Sequence, residues 1–266
     1  MINQIVMRSI LNALLKVDKL PIVKKLKIWC PIRGGAVTVD ECLKCQACLP
    51  EPILRKLFKD VEHEPNRYGV TELVSPCIRK SFFARTSNFY PSLKDLYILG
   101  RGNAFHNWFN EMFQGREIKL VKHFKDFSII GIVDGYHETK EGIVLYEIKS
   151  VTRIPLTPYP HHVTQIQAYY SLAKENMEID KLELIYLGMN DFARFQVEKK
   201  NVLPFLVERA KILHKALQEN KPPSIQDTTQ CFYCPFRARC QLVESVKRFK
   251  KEFGGDSVER NRGRKT

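Results

Sequence analysis

Residues 127–149 read FSIIGIVDGYHETKEGIVLYEIK, two apolar runs that each end in an acidic residue. The runs end at Asp134 and Glu147, and the polar residues between them predict a hairpin of two strands. Two carboxylates at the ends of buried strands are costly unless a partner compensates their charge, and a divalent cation does so through hard oxygen ligands. Glu147 and Lys149 are two residues apart on one strand, so their side chains share a face. This stretch predicts a metal-dependent site for phosphodiester hydrolysis, in which Lys149 positions or activates the attacking water.

Three further residues accompany this pattern. Glu-x-Lys on its own is more often an ordinary salt-bridged surface pair. His106 lies on a predicted helix upstream and can add an imidazole ligand, although a lone helical histidine is more often structural. Gln165 and Tyr169 are one helical turn apart on the helix that follows, so both can face the same site. The agreement of these features favours the nuclease interpretation over coincidence.

Helices and strands alternate along the rest of the chain. Apolar residues at helical spacing and short runs rich in Ile and Val indicate the two kinds of element. The predicted order is helices at 79–85 and 103–113, strands at 118–124, 127–134 and 142–149, a helix at 162–175, strands at 182–187 and 194–197, and a helix at 202–219. This order predicts a mixed α/β fold, with a sheet flanked by helices. The sequence has no G-x-x-x-x-G-K-[ST] phosphate loop, which argues against a fused helicase motor.

Composition divides the chain into three parts. Residues 1–65 form a cysteine-rich N-terminal segment with an amphipathic helix predicted at 9–15 and a turn signal at 33–36. Residues 66–245 form the nuclease domain. Residues 246–266 are strongly basic and predict a flexible tail.

The formal net charge of +14 indicates a polyanionic partner such as nucleic acid. Basic residues are concentrated at both ends of the chain and in residues 76–125, which lead into the predicted site. The basic side chains of that stretch are Arg79, Lys80, Arg85, Lys94, Arg101, Arg116, Lys119, Lys122 and Lys125.

Eight cysteines could make four disulfides, but a chain of 266 residues is too long to need them for stability, and no convincing secretory signal is present. No apolar run approaches the roughly 20 residues of a membrane span, so we expect a reducing cytoplasm and no membrane partner. There, clustered cysteines more often bind a metal. The sequence leaves the oligomeric state open.

The cysteines form two sets of four. One set brackets the predicted site, and its count and softness suit zinc or an iron-sulfur cluster, with scattered buried thiols as the alternative; its members are Cys77, Cys231, Cys234 and Cys240. The second set predicts another metal site, either zinc or iron-sulfur, with a loop of free thiols as the alternative; its members are Cys30, Cys42, Cys45 and Cys48.

Between residues 70 and 245 the sequence resembles a known family. The matching motifs are Leu73-Val74-Ser75-Pro76-Cys77 followed by Arg79, Gly102 to His106, Gly131 to Asp134, Glu147-Ile148-Lys149-Ser150, Gln165 to Tyr169, and Cys231-x2-Cys234-Pro235-x4-Cys240. These resemble the CRISPR-associated RecB-like exonucleases, with the RecB-type nuclease domains of bacterial recombination enzymes as wider kin, within the PD-(D/E)XK nuclease superfamily.

The resemblance implies a restriction-endonuclease-like core that is closed by an iron-sulfur cluster. The cluster is a 4Fe-4S centre on Cys77, Cys231, Cys234 and Cys240. Mg²⁺ or Mn²⁺ would be held by His106, Asp134, Glu147 and the backbone carbonyl of Ile148. By the same resemblance Lys149 is the catalytic lysine, and Gln165 and Tyr169 support it.

The implied activity is exonucleolytic cleavage of DNA, on single-stranded ends, with CRISPR adaptation proteins as partners. Two alternatives stay open. A RecB-like nuclease of general DNA repair or recombination would keep the same fold and site. A non-catalytic iron-sulfur protein that binds DNA or transfers electrons would not need the Asp134, Glu147 and Lys149 set.

Overall fold

We describe a computed structural model of the chain in residues 27–58, 64–87, 90–111, 113–225 and 227–253. The amphipathic helix predicted at 9–15 lies outside these ranges. Among them, no helix is both long and apolar enough to cross a membrane.

The observed elements follow the predicted alternation. In chain order they are β1 (Lys27–Cys30), β2 (Gly35–Thr38), α1 (Val39–Cys45), α2 (Glu51–Leu57), β3 (Arg67–Gly69), α3 (Val70–Leu73), α4 (Ile78–Thr86), α5 (Leu93–Asn110), β4 (Gly115–His123), β5 (Ser128–Thr139), β6 (Gly142–Ser150), α6 (Pro160–Ala173), β7 (Lys181–Leu187), β8 (Phe192–Val197), α7 (Leu203–Gln218), a 3₁₀ turn (Cys231–Tyr233) and α8 (Arg237–Phe253). The predicted mixed α/β fold is therefore confirmed.

Six strands form one mixed sheet, in the order β3-β5-β6-β7-β8 with β4 beside β5. β4 pairs antiparallel with β5 along one edge, from Gly115 opposite Tyr136 to His123 opposite Ser128. On the other edge of β5, β3 runs parallel to residues 128–130 and β6 runs antiparallel to residues 135–139. β6 pairs in parallel with β7 along residues 144–150.

Helix α6 packs on this sheet. Its buried side chains include Ile166, Ala168 and Leu172, which join Ile129 of β5 and Leu182 of β7 in one hydrophobic core. Because these apolar side chains leave water together, they provide the main drive for sheet and helix to associate.

The cysteine-rich segment has a small core of its own. The β1–β2 hairpin buries Ile28 and Val37 against Leu96 of α5. The backbone N–H of Trp29 donates a hydrogen bond of 3.1 Å to the carbonyl of Pro91, just before α5. The segment is therefore attached to the nuclease fold through the first turns of α5.

Several predicted boundaries differ from the structure. β5 continues to Thr139 and β6 to Ser150, so Asp134 and Glu147 lie inside strands and not at their ends, and α5 begins at Leu93, ten residues before its predicted start. Helix α5 ends at Asn110, and Phe113 instead stacks on Tyr146 with ring centroids 5.0 Å apart. Helix α8 continues to Phe253, so residues 246–253 are helical where the sequence predicts a flexible tail. Its Lys, Glu and Arg residues are good helix formers, so a basic composition did not mark the end of the helix. Residues 254–266 lie outside the described ranges.

Candidate active site

The site lies where the sheet opens on one edge of β5. Strands β3 and β6 both pair with that edge of β5. The pairing with β3 ends at Ile130 of β5, and the pairing with β6 begins only at Gly135 of β5. Within the described part of the chain, residues 131–134 have no strand neighbour there. A strand edge without a ladder partner must satisfy its polar groups in other ways, and this opening is where Asp134 and Glu147 meet.

Asp134 bridges the opening with both carboxylate oxygens. Oδ2 accepts a hydrogen bond of 2.7 Å from the backbone N–H of Ile148, which replaces a ladder bond between the diverging strands. Oδ1 accepts one of 2.9 Å from Nδ1 of His106, on α5. This bond to Asp134 raises the pKa of His106 despite the opposing effect of burial. Three elements of the fold are thus joined at one carboxylate.

Glu147 is buried, with a side chain 2% exposed, and forms an ion pair with Lys149 through Oε1. Its other oxygen, Oε2, has no hydrogen-bond partner among the described residues. Burial raises the pKa of Glu147 to about 7, although the Lys149 ammonium acts in the opposite direction. A buried carboxylate oxygen with no partner is unfavourable for folding alone, and it has the chemistry of a ligand for a hard divalent cation.

Gln165 and Tyr169 lie together on α6, as their spacing predicts. The Gln165 amide donates to the Tyr169 hydroxyl at 2.7 Å and to Oγ1 of Thr71 at 3.3 Å. Burial, followed by the nearby Glu147 carboxylate, raises the pKa of Tyr169 well above its usual range, so the phenol stays neutral. Gly131 makes room for this ring, because a Cβ there would lie 2.8 Å from it. Thr71 was not singled out by sequence reasoning, since one threonine carries no pattern.

A histidine pair beside the site was also missed. His161 and His162 begin α6, and the Lys149 ammonium acts on both rings. Nδ1 of His162 lies 2.9 Å from the Tyr186 hydroxyl. The adjacent His-His pair is the only sequence signal that could have drawn attention to them. Lys80 also acts electrostatically on His161, which brings one member of the basic stretch 76–125 close to the site.

Several other basic residues of that stretch are paired with carboxylates of the protein itself. Arg79 is 1% exposed and pairs with Glu244 at 2.7 Å. Arg85 forms a buried bidentate pair with Glu72, and Lys122 pairs with Glu175 at 2.6 Å. The count of basic side chains in the sequence therefore overstates the charge that this stretch offers to a polyanion.

Three of the bracketing cysteines, Cys77, Cys231 and Cys240, lie close enough to act on one another electrostatically. Burial raises the pKa of the Cys240 thiol, Arg79 lowers it, and the thiols of Cys77 and Cys231 raise it. Nε and Nη2 of the buried Arg79 have no hydrogen-bond partner in the described ranges. A buried cation beside clustered thiols suits a site whose thiolates carry negative charge.

With the side chains in their present positions, the candidate metal ligands do not converge on a single point. Over the described residues, no group of three or more His, Cys, Asp and Glu side chains is arranged closely enough to hold a metal ion. At the carboxylate site, His106 and Lys149 occupy the positions next to Asp134 and Glu147 and supply the compensating hydrogen bonds and charge. The two carboxylates, Asp134 and Glu147, are chemically suited to a hard divalent cation, and Oε2 of Glu147 is buried without a hydrogen-bond partner in the described ranges.

The fold and this site first define a class, a mixed α/β protein with paired carboxylates and a lysine at an opening in its sheet. A family model described as the PD-(D/E)XK nuclease superfamily matches residues 95–241, which is more than half of the chain. The chain belongs to the PD-(D/E)XK nuclease superfamily.

Several solved structures resemble the chain. The crystal structure of SSO0001 has a TM-score of 0.54 and 20% sequence identity, and the match covers 69% of this chain and 91% of that one. This likeness shows a shared fold. A candidate exonuclease from Eubacterium rectale has a TM-score of 0.28 and 11% identity over 68% of this chain and 79% of its own, a similarity too low to support any conclusion. No protein with a curated function matches the chain.

Proposed function

We propose that this protein is a metal-dependent deoxyribonuclease, an exonuclease that hydrolyses phosphodiester bonds at single-stranded ends. The observation that carries the proposal is the buried Glu147 carboxylate, which has one oxygen paired with Lys149 and the other without a partner. Membership of a nuclease superfamily supports the same activity, with DNA as the substrate and a divalent cation as the cofactor.

The residues divide into ligands and catalytic groups. Asp134, Glu147, His106 and the backbone carbonyl of Ile148 would hold Mg²⁺ or Mn²⁺. When bound, such an ion neutralises charge on the scissile phosphate and makes phosphorus more open to attack. His106 and the Ile148 N–H fix the orientation of Asp134 through its two oxygens.

Lys149 carries the catalytic role at phosphorus. Its ammonium, 19% exposed, can hold a water for attack and offset the negative charge that develops on the phosphate oxygens. The new P–O bond forms to the water oxygen, the bond to the leaving nucleoside oxygen breaks, and that oxygen takes up a proton. Gln165 and Tyr169 support the site from α6 through their mutual hydrogen bond.

The bracketing cysteines are proposed to hold a 4Fe-4S cluster on Cys77, Cys231, Cys234 and Cys240. The mutual electrostatic influence of three of these thiols and the buried Arg79 beside them support it. Such a cluster would tie the chain before the nuclease core to the chain after it. We retain the division into 1–65, 66–245 and a basic C-terminal part, with α8 reaching into the third.

The cellular role proposed is that of a CRISPR-associated RecB-like exonuclease that acts with adaptation proteins in a reducing cytoplasm. The motif resemblance over residues 70–245 supports it. A nuclease of general DNA repair would have the same site, and the genes next to this one would separate the two. The non-catalytic alternative is disfavoured by the unpartnered carboxylate oxygen, which a DNA-binding or electron-transfer protein does not need.

The test is digestion of end-labelled single-stranded DNA with Mg²⁺, with Mn²⁺ and with EDTA. We expect metal-dependent loss of linear substrate and survival of circular single-stranded DNA. Lys149→Ala should lower the rate by about 10²-fold or more. Lys119→Ala is the matched control, because Lys119 is an exposed lysine on β4 and should leave the rate unchanged.

Cleavage of circular single-stranded DNA would contradict the exonuclease assignment but would still agree with nuclease activity. If the wild-type protein degrades no DNA with either metal, or if Lys149→Ala cuts as fast as the wild type, the proposed function is wrong.

A further inference from the structure

The second set of cysteines surrounds one small cavity, far from the carboxylates. The cavity has a volume of about 20 Å³, and Cys30, Cys42, Cys45 and Cys48 all line it. Burial raises the pKa of the Cys42 thiol, and Cys48, Cys30 and Cys45 are each close enough to raise it further. Four thiols from two secondary-structure elements and a turn are thus gathered in one place.

Local backbone geometry brings them there. Cys30 ends β1, and the turn at 31–34, with Gly34 at φ +63°, returns the chain as β2 into α1. Cys42 and Cys45 are three residues apart on α1 and so share a face. The helix ends at Cys45. Its C-cap residue, Gln46, has a left-handed φ of 50° that turns the chain, and Cys48 follows two residues later.

The capping of α1 shows that this arrangement is built into the sequence. Thr38 and Glu41 form a capping box, in which the Thr38 hydroxyl accepts from the Glu41 N–H and the Glu41 carboxylate accepts from the Thr38 N–H. The box holds the start of the helix directly against the end of β2. Cys42 is therefore placed next to the hairpin that carries Cys30.

These thiols differ from ordinary structural cysteines. A free cysteine is among the most buried residue types and behaves as a small apolar side chain. Here Cys45 and Cys48 are exposed and Cys30 and Cys42 are only partly buried, and all four are free. Four accessible thiols around one cavity are prone to oxidation in the absence of a partner that occupies them.

We infer that Cys30, Cys42, Cys45 and Cys48 form a structural tetrathiolate site for one zinc ion. Four thiolates with C-x2-C spacing make a closed, tetrahedral zinc site. The C-x3-C-P continuation typical of ferredoxin-like clusters is absent after Cys48, which favours a single zinc ion over an iron-sulfur cluster. The thiols do not all converge on one point as they stand. The inferred site therefore requires side-chain rotation when the ion binds, and none of the four thiols is fully buried.

The site stabilises the attachment of the N-terminal segment. Leu93, the first residue of α5, lines the same cavity and packs with the hairpin core. His106 is thirteen residues further along α5, and at 1.5 Å per residue the helix separates these two positions by about 20 Å. The role is therefore to clip the segment to α5, and the ion takes no part in hydrolysis.

The experiment measures zinc and iron in the full-length protein, purified without oxygen, by mass spectrometry of the metals. We expect about one zinc per chain in the wild type. Cys45→Ser should lose the zinc and keep its iron content, and its melting temperature should fall. Cys234→Ser, a cysteine of the other set, is the matched control and should keep the zinc. In the wild type, titration with a mercurial, which binds the thiolates, should consume about four thiols for each zinc ion released.

Substitution of cobalt(II) for zinc gives a second readout, because cobalt(II) in a tetrahedral thiolate site has a characteristic visible absorption. The inference is overturned if the wild type holds no zinc and its N-terminal thiols react at once with a thiol reagent. Iron in this site would also overturn it, as would zinc that survives Cys45→Ser or is lost in Cys234→Ser. The thiol count in the wild type decides the matter even if Cys45→Ser does not fold. Because metal content is read without DNA, an inactive protein with one zinc would count against the proposed function alone.

Discussion

At the residue scale, the site is a set of buried polar groups that compensate one another. Asp134 receives hydrogen bonds from His106 and the backbone of Ile148, and Glu147 pairs with Lys149. The exception is Oε2 of Glu147, which is buried and has no partner in the described ranges. A protein tolerates such a group where function requires it, because each unsatisfied buried polar atom costs on the order of 1–3 kcal/mol.

His162 beside the site is held neutral by its surroundings. The Tyr186 hydroxyl accepts from the Tyr159 N–H at 3.0 Å and lies 2.9 Å from Nδ1 of His162. Burial, together with the Lys149 ammonium, lowers the pKa of His162 to about 3.

We predict that this histidine makes stability depend on pH in the mildly acidic range. The unfolded chain takes up a proton at His162 near pH 6.5, whereas the folded chain does not, so stability is complete above about pH 6.5 and is lost as the pH falls. Denaturant unfolding at several pH values between about 5 and 6.5 should show a shallower slope for His162→Gln than for the wild type. His123→Gln, at an exposed site on β4, is the control. Equal slopes for the wild type and His162→Gln would contradict the prediction.

At the scale of the elements, the decisive feature is how β5 is shared between its neighbours. β4 occupies one edge, and β3 and β6 divide the other. The interval they leave is filled by side chains from α5 and α6 instead of a strand. Helix α6 can approach because Gly131 has no side chain at the point of contact with Tyr169.

We predict that Gly131→Ala displaces Tyr169 and disturbs the site. A Cβ at this position would lie 2.8 Å from the Tyr169 ring and 3.3 Å from Val70, so one of the packed elements must move. We expect a loss of about 1–3 kcal/mol in the free energy of unfolding, measured with denaturant. Nuclease activity should fall as well, since the hydrogen bond from Gln165 to Tyr169 depends on the ring position.

Gly35→Ala provides the control on another strand. A Cβ at Gly35 would have no atom of the described residues within 4 Å. Its stability should be unchanged or slightly higher. If Gly131→Ala is as stable and as active as Gly35→Ala, the proposed packing of Tyr169 on β5 is wrong.

At the scale of the whole molecule, net charge and usable charge differ. The formal charge is +14, but Arg79, Arg85 and Lys122 are engaged by carboxylates of the fold. Lys80 is exposed and acts on His161, close to the site. The basic surface near the site therefore depends on a few lysines and not on the total.

We predict that Lys80 contacts the DNA backbone. Binding of single-stranded DNA to the Lys149→Ala protein should weaken as salt rises, with a slope of log K against log salt of about −0.7 per phosphate contact. Adding Lys80→Ala should make the slope less negative by about 0.7, the contribution of one phosphate contact. Lys56→Ala, at an exposed position on α2, should leave the slope unchanged. Fluorescence anisotropy over a salt series measures this. An unchanged slope for Lys80→Ala would place the DNA path elsewhere.

The sequence by itself determined the elements and the candidate residues. Alternating apolar runs set β5 and β6 and put Asp134 and Glu147 where those runs end, and helical spacing put Gln165 and Tyr169 on one face of α6. These are local properties, because the periodicity of a strand or helix is present in a few neighbouring residues. The prediction that residues 246–253 belong to a flexible tail was wrong, because charge composition says little about where a helix ends.

Only the tertiary structure decided which residues meet. The divergence of β5 from β6, the contact of His106 with Asp134 and the burial of Arg79 depend on packing between residues far apart in the chain. The same holds for the four N-terminal thiols, which gather only because the turn at 31–34 and the left-handed Gln46 fold two elements onto each other. Such long-range contacts are set by the free energy of the whole core, so no short pattern in the sequence contains them.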